Sequence, residues 1–151
     1  MDPETLLKCL KEHKVTFVVI GAAAFPVYGY ARATFDLDLF LQPDRKNLER
    51  AWRALKAFGY DMSEVTVVDL LSKKVLIRQY AVATDLHPFV KGVTFQEVWK
   101  KKVKSKIGQT AAWFASLEDL IKMKRAAHRP KDLEDLKYLT PLRRKVNRHK
   151  I

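Results

Sequence analysis

An α+β domain with α/β character is what the sequence predicts. Short β-branched apolar runs alternate with amphipathic helical stretches in the first half, and helical patterns dominate the second half. No internal repeat, low-complexity stretch or linker divides the 151 residues, a length that suits one domain with its own core. Residues 1–151 are therefore read as a single domain, with a basic, mobile tail at 141–151.

Each element has a local reason. Asp2-Pro3 reads as an N-cap followed by proline at the first helical position, and Leu6, Leu7 and Leu10 then recur at helical spacing. Val15 to Ile20 is a short β-branched run, hence a buried strand that Gly21 ends. A short helix opens at Ala22-Ala23-Ala24, bends at Pro26 and closes near Gly29. Phe35 to Leu41 alternates: Asp36, Asp38 and Phe40 share one face, and Phe35, Leu37, Leu39 and Leu41 the other. A helix starts at Pro43-Asp44, carries Leu48, Ala51, Trp52, Leu55 and Phe58 inward and stops at Gly59.

Val65 to Leu71 and Val75 to Ala83 read as two further strands, paired through a turn near Ser72-Lys73. Thr94 and Glu97 form a capping box for a short helix bearing Val98 and Trp99. Lys100 to Lys106 is a basic run. Ser116 and Asp119 start a helix with Leu117, Leu120, Ile121 and Met123 inward. A last helix spans Asp132 to Leu139, and Pro141 stops it.

The composition, 48% hydrophobic and 30% charged, is that of a soluble globular protein. No apolar run reaches the roughly 20 residues of a membrane span, and the acidic start lacks the pattern of a signal peptide. The single Cys9 forms no internal disulfide and reads as a small core residue, so a cytoplasmic location is expected. A net charge of +12 favours polyanionic partners such as nucleotides, nucleic acid or acidic surfaces, or else simply keeps the protein soluble.

Asp36 and Asp38, two apart on a strand, point the same way, so their carboxylates converge on divalent cations or stand solvated on a half-exposed strand. Gly21, between a buried strand and a helix start, suits a backbone cradle for phosphate. Asp85, at the end of a later apolar run, completes a three-carboxylate set or else serves a turn. His87, before Pro88, reads as structural.

Taken together, these residues resemble the nucleotidyltransferase superfamily of the polymerase-β type, and among its members the small bacterial proteins related to the AbiE-type toxins. The likeness covers about residues 15 to 139. It runs through Phe17-Val18-Val19-Ile20-Gly21-Ala22, then Arg32-Ala33-Thr34-Phe35-Asp36-Leu37-Asp38-Leu39, then Asp85. Lys124-Arg125-Ala126-Ala127 and Arg129-Pro130-Lys131-Asp132-Leu133-Glu134-Asp135-Leu136 complete it.

The resemblance implies a minimal nucleotidyltransferase fold: a mixed β-sheet with flanking helices and a C-terminal helical part. It implies Mg²⁺ or Mn²⁺ as cofactor, with Asp36, Asp38 and Asp85 as metal ligands and Asp85 as base. Lys124 and Asp132 join them as catalytic residues. Gly21, Ala22, Arg32, Thr34 and Lys124 are the implied nucleotide-binding set. The implied reaction moves a nucleoside monophosphate from a nucleoside triphosphate to an acceptor. The basic charge leans toward RNA, tRNA in particular, and the resemblance adds a toxin role with a cognate antitoxin.

One position departs from the family pattern: Ala22 stands where Gly or Ser is usual, which loses a hydroxyl donor and restricts φ. That departure supports an alternative, a weak or inactive nucleotide- or RNA-binding module of the same fold. A purely basic RNA-binding protein is disfavoured, because Trp52, Phe58, Trp99 and Trp113 sit at core-like positions.

Overall fold

The computed structural model describes residues 2–32, 36–80 and 82–148. Helix α1 (Pro3–Glu12) starts where Asp2 accepts a hydrogen bond from the Thr5 N–H at 2.7 Å, and Leu6, Leu7 and Leu10 are fully buried. Strand β1 (Phe17–Ile20) is buried throughout. Gly21 turns the chain straight into a 3₁₀ helix (Gly21–Tyr28), which Gly29 closes in the left-handed region. Strand β2 (Asp36–Leu41) follows, then α2 (Arg45–Phe58), capped by Asp44 and ended by Gly59. The remaining elements are α3 (Val67–Ser72), β3 (Val75–Ile77), β4 (Ala83–His87), α4 (Phe95–Lys100), β5 (Val103–Ile107), β6 (Thr110–Phe114), α5 (Leu117–Ala127) and α6 (Pro130–Arg148).

The strands form one mixed sheet in the order β3-β4-β2-β1-β6-β5. Pairing is antiparallel for β1–β2, β3–β4 and β5–β6, and parallel for β2–β4 and β1–β6. The fold is thus α+β with a mixed sheet and flanking helices, as the sequence implies. Asn47, buried on α2, locks the register of β1 against β2. Its side-chain oxygen accepts from the Thr16 N–H at 2.7 Å, and its amide donates to the carbonyls of Thr16 and Gln42 at 2.9 and 3.0 Å. Among the described residues, no helix is long and apolar enough to cross a membrane.

Four elements differ from the sequence reading. Val65 to Leu71 is not a strand: the segment is mostly α3, opened by a complete capping box between Thr66 and Asp69. Val75 to Ala83 is not one strand but β3 and β4, which pair with each other. Between them Tyr80 takes φ +59, held by its hydroxyl donating to the Gly59 carbonyl at 3.0 Å. The basic run from Lys100 leads into an unforeseen hairpin, β5–β6, turned at Gly108-Gln109. Finally, Pro141 lies inside α6, which runs on to Arg148. Arg143 on that extension pairs with Glu118 of α5 at 3.0 Å, so the packing outweighs the one hydrogen bond a proline removes.

Candidate active site

The parallel register of β2 on β4 sets Asp38 beside Asp85, Asp36 beside Ala83 and Phe40 beside His87. Paired residues share a face and side chains alternate, so Asp36, Asp38, Asp85 and His87 all project from the same side of the sheet. One His87 ring nitrogen, Nε2, lies 2.8 Å from Asp38 Oδ1. Ligand atoms of Asp38, Asp85 and His87 lie within 4.8 Å of one another, a set able to hold a metal ion. Asp36, named with the other two from sequence, lines the same cavity but does not belong to this close set of three.

Two cations that sequence reasoning missed reach this floor. Arg78, just past β3, donates from Nη1 to Asp85 Oδ1, and its Nη2 lies 3.9 Å from Asp36 Oδ2. Lys74 Nζ lies 4.0 Å from Asp85 Oδ2. Burial pushes the Asp38 carboxyl up, but the His87 hydrogen bond, with the charges of His87, Lys74 and Lys124, outweighs burial and holds it below the ordinary carboxylate value.

Gly21 closes one end of the floor. Its φ is +69, and a Cβ there would lie 2.6 Å from Asp38 Oδ2. A side chain there would be strained at this φ and would push the Asp38 carboxylate aside. The N-cap residue of the 3₁₀ helix that begins at Gly21 is Ile20, which makes no side-chain capping hydrogen bond.

Facing the floor is a wall built by α5 and α6. Lys124 Nζ donates to Asp132 Oδ1 at 3.1 Å and lies 3.0 Å from Asp135 Oδ2. Asp132 also accepts from the Arg129 N–H at 3.0 Å and from Arg129 Nε at 2.7 Å. Asp135 pairs with Arg32 Nε at 3.0 Å and accepts from the Tyr30 hydroxyl at 3.2 Å. Both aspartates are buried. Burial raises the Asp132 carboxyl, yet the hydrogen bonds from Arg129 and Lys124 overcome it and hold the group far below the usual range.

Floor and wall bound one cavity of about 190 Å³, lined by Gly21, Ala22, Arg32, Asp36, Asp38, Asp85, Lys124 and Asp132. Every sequence-named site residue therefore meets in this space except Thr34, which lies outside the described residues. His87, Lys74 and Arg129 also line it. The floor sets three carboxylates against the two cations Arg78 and Lys74, and the wall sets two carboxylates against Lys124, Arg129 and Arg32. Counting Asp, Lys and Arg alone, the floor is one positive charge short and the wall has one in excess.

A strand that turns at glycine, an Asp-x-Asp strand beside it, a third aspartate on the parallel neighbour and a lysine wall opposite define a nucleotidyltransferase-class domain. The family model described as "Nucleotidyl transferase of unknown function (DUF2204)" matches residues 2–151, and the chain belongs to that family. No curated protein matches the chain.

Proposed function

We propose that the protein transfers a nucleoside monophosphate from a nucleoside triphosphate to an acceptor hydroxyl, in the cavity between the β2–β4 floor and the α5–α6 wall. The observation that carries this reading is the charge division of that cavity. Carboxylates in excess suit a divalent cation, and cations in excess opposite them suit the phosphates that such a cation accompanies.

Asp38 and Asp85 supply hard oxygen donors that fit Mg²⁺ or Mn²⁺, with Asp36 in the same cavity and His87 holding Asp38 in orientation. When bound, such an ion neutralises phosphate charge and lowers the pKa of an attacking hydroxyl. The first N–H groups after Gly21 point phosphate oxygens into the cavity, and Lys124 and Arg129 balance their charge. Asp85 takes the proton of the acceptor hydroxyl as its oxygen bonds to the α-phosphorus; the bond from that phosphorus to the bridging oxygen breaks, and pyrophosphate departs.

The net charge of +12 makes RNA, tRNA among it, the acceptor of choice. A toxin role countered by a cognate antitoxin, in a cytoplasm that supplies the triphosphate, extends the AbiE-type resemblance. Ala22, buried where a hydroxyl donor is usual, favours a second reading: a nucleotide-binding module that transfers weakly or not at all.

Incubation with each labelled nucleoside triphosphate, Mg²⁺ or Mn²⁺ and total cellular RNA separates the two. Transfer predicts label on an acceptor that chelator abolishes. Nucleotide binding without any label transfer establishes the second reading instead.

A further inference from the structure

We propose that the β5–β6 hairpin, with the Trp99–Lys102–Trp113 cluster beside it, is a docking surface for single-stranded RNA. As the route by which an acceptor arrives, the proposal rests on the transferase reading; RNA binding itself is measurable apart from transfer.

Sequence and register together build this surface. Lys100, Lys101, Lys102, Lys104 and Lys106 crowd one stretch, and no acidic residue occurs between Val98 and Leu117. Lys100, Lys104 and Lys106 are exposed, and among the described residues none of them joins an ion pair. Lys104 pairs with Trp113, and Lys106 with Ala111, so both lysines share a face with the indole. Phe114 pairs with Val19, and Ile20 with Asp38, which places Trp113 on the same side of the sheet as the carboxylates. Two strand spacings, about 10 Å, separate it laterally from Asp36 and Asp38, and three, about 14 Å, from Asp85.

Trp99 packs against the core, but its neighbour Trp113 does not. Trp113 is 38% exposed, which overturns the core-like position its sequence context suggests. It is fixed in place: Trp99 stands edge-on at 6.3 Å, and the Lys102 ammonium lies 4.0 Å from the Trp99 ring centre and 4.5 Å from that of Trp113. Below them a cavity of about 330 Å³ is lined by Trp99, Trp113, Lys104, Lys11 and Thr16. A rigid exposed indole beside unpaired lysines is the combination that holds a single strand, with bases stacked on the ring and phosphates on the ammonium groups. An acidic protein surface would use the lysines but has no need of the indole.

The test uses the full chain and a fluorescein-labelled oligouridylate, with binding followed by anisotropy and by quenching of tryptophan emission, without nucleotide and with chelator present. The parent should bind with salt-dependent affinity and quenched emission. Trp113→Ala should weaken binding by about 5- to 100-fold. Lys104→Gln with Lys106→Gln should flatten the dependence of log affinity on log salt by about 1 to 1.5. Nucleotide affinity at the cleft should stay unchanged in both variants. Should Trp113→Ala misfold, the paired lysine change, on exposed side chains, still decides. Equal RNA binding by parent and variants overturns the proposal, whether or not transfer is seen. Polyglutamate that competes fully, with binding indifferent to Trp113→Ala, assigns the face to an acidic protein and overturns it also. RNA binding that follows the prediction while no transfer occurs sinks the transferase reading and leaves this one standing.

Discussion

Two groups of aspartates face each other across the cavity, and they are held differently. On the wall, Asp132 and Asp135 are buried and saturated by Lys124, Arg129, Arg32 and Tyr30 at 2.7 to 3.2 Å. On the floor, Asp36 and Asp85 share Arg78, Lys74 stands off at 4.0 Å, and Asp36 keeps 43% of its side chain exposed. The contrast teaches that residue type does not fix role. On the proposed function, a carboxylate whose hydrogen bonds are all made inside the fold is expected to serve the fold, and one left short of positive charge to serve a ligand.

The comparison breaks most sharply at Asp38. Asp38→Asn should cut transfer by more than the roughly 100-fold that loss of an outer-shell partner costs a metal site. Its melting temperature should fall slightly, because the fold holds the Asp38 carboxyl below its ordinary value through His87 and nearby cations, and the neutral amide loses that stabilisation. A mutant as active as its parent would rule out Asp38 as a metal ligand, and one that unfolds would make the floor structural like the wall.

Asp132→Asn should do the reverse. It leaves Arg129 and part of Lys124 without their buried partner, and should cost about 2 to 3 kcal/mol in urea unfolding, less than the 3 to 5 of a fully buried pair because Arg129 is half exposed. The pH dependence sharpens the point. The Asp132 carboxyl is depressed in the folded state, so its stabilisation is complete above the unfolded value, about 3.9, and is lost as pH falls below it. Stability of the parent should decline on acidification through that range, and the Asn variant should show a shallower decline. Identical slopes would remove Asp132 from the structural side of the comparison.

The smallest effect belongs to Lys124, which touches both sides. Lys124→Ala should weaken triphosphate binding by about 10-fold, the value of one charge-assisted hydrogen bond. The deficit should shrink as salt rises. A nucleotide titration at two salt concentrations measures it, and equal affinities would confine Lys124 to bracing the wall.

Much of this site was legible because its signals are local. The alternation of Asp36, Leu37, Asp38 and Leu39 fixes which face the carboxylates take, and Ile20-Gly21 marks the turn. What the sequence hid depends on distant partners. Arg78 and Tyr80 sit in a stretch that looks like continuous strand. The break between β3 and β4 comes from Gln79, which bonds the Asp61 backbone at 2.7 and 3.0 Å, and from Tyr80 reaching Gly59. No glycine or proline marks that break, so local punctuation could not show it. At the start of α3, the β-branched residues Val65, Thr66, Val67 and Val68 argue for a strand, yet the Thr66–Asp69 capping box and packing on α2 prevail. His87 lies next to a proline, and only the parallel register reveals that it touches Asp38.

Gly21 ties the two halves of the cavity together in a further way. Its missing Cβ is what lets the Asp38 carboxylate approach the backbone turn. The Asp38 carboxylate and the turn into the 3₁₀ helix therefore meet at one position, where a side chain would be strained and would displace Asp38. Enlarging that corner by substitution at Gly21 would therefore displace the Asp38 carboxylate first, before it touched the buried pairs of the wall.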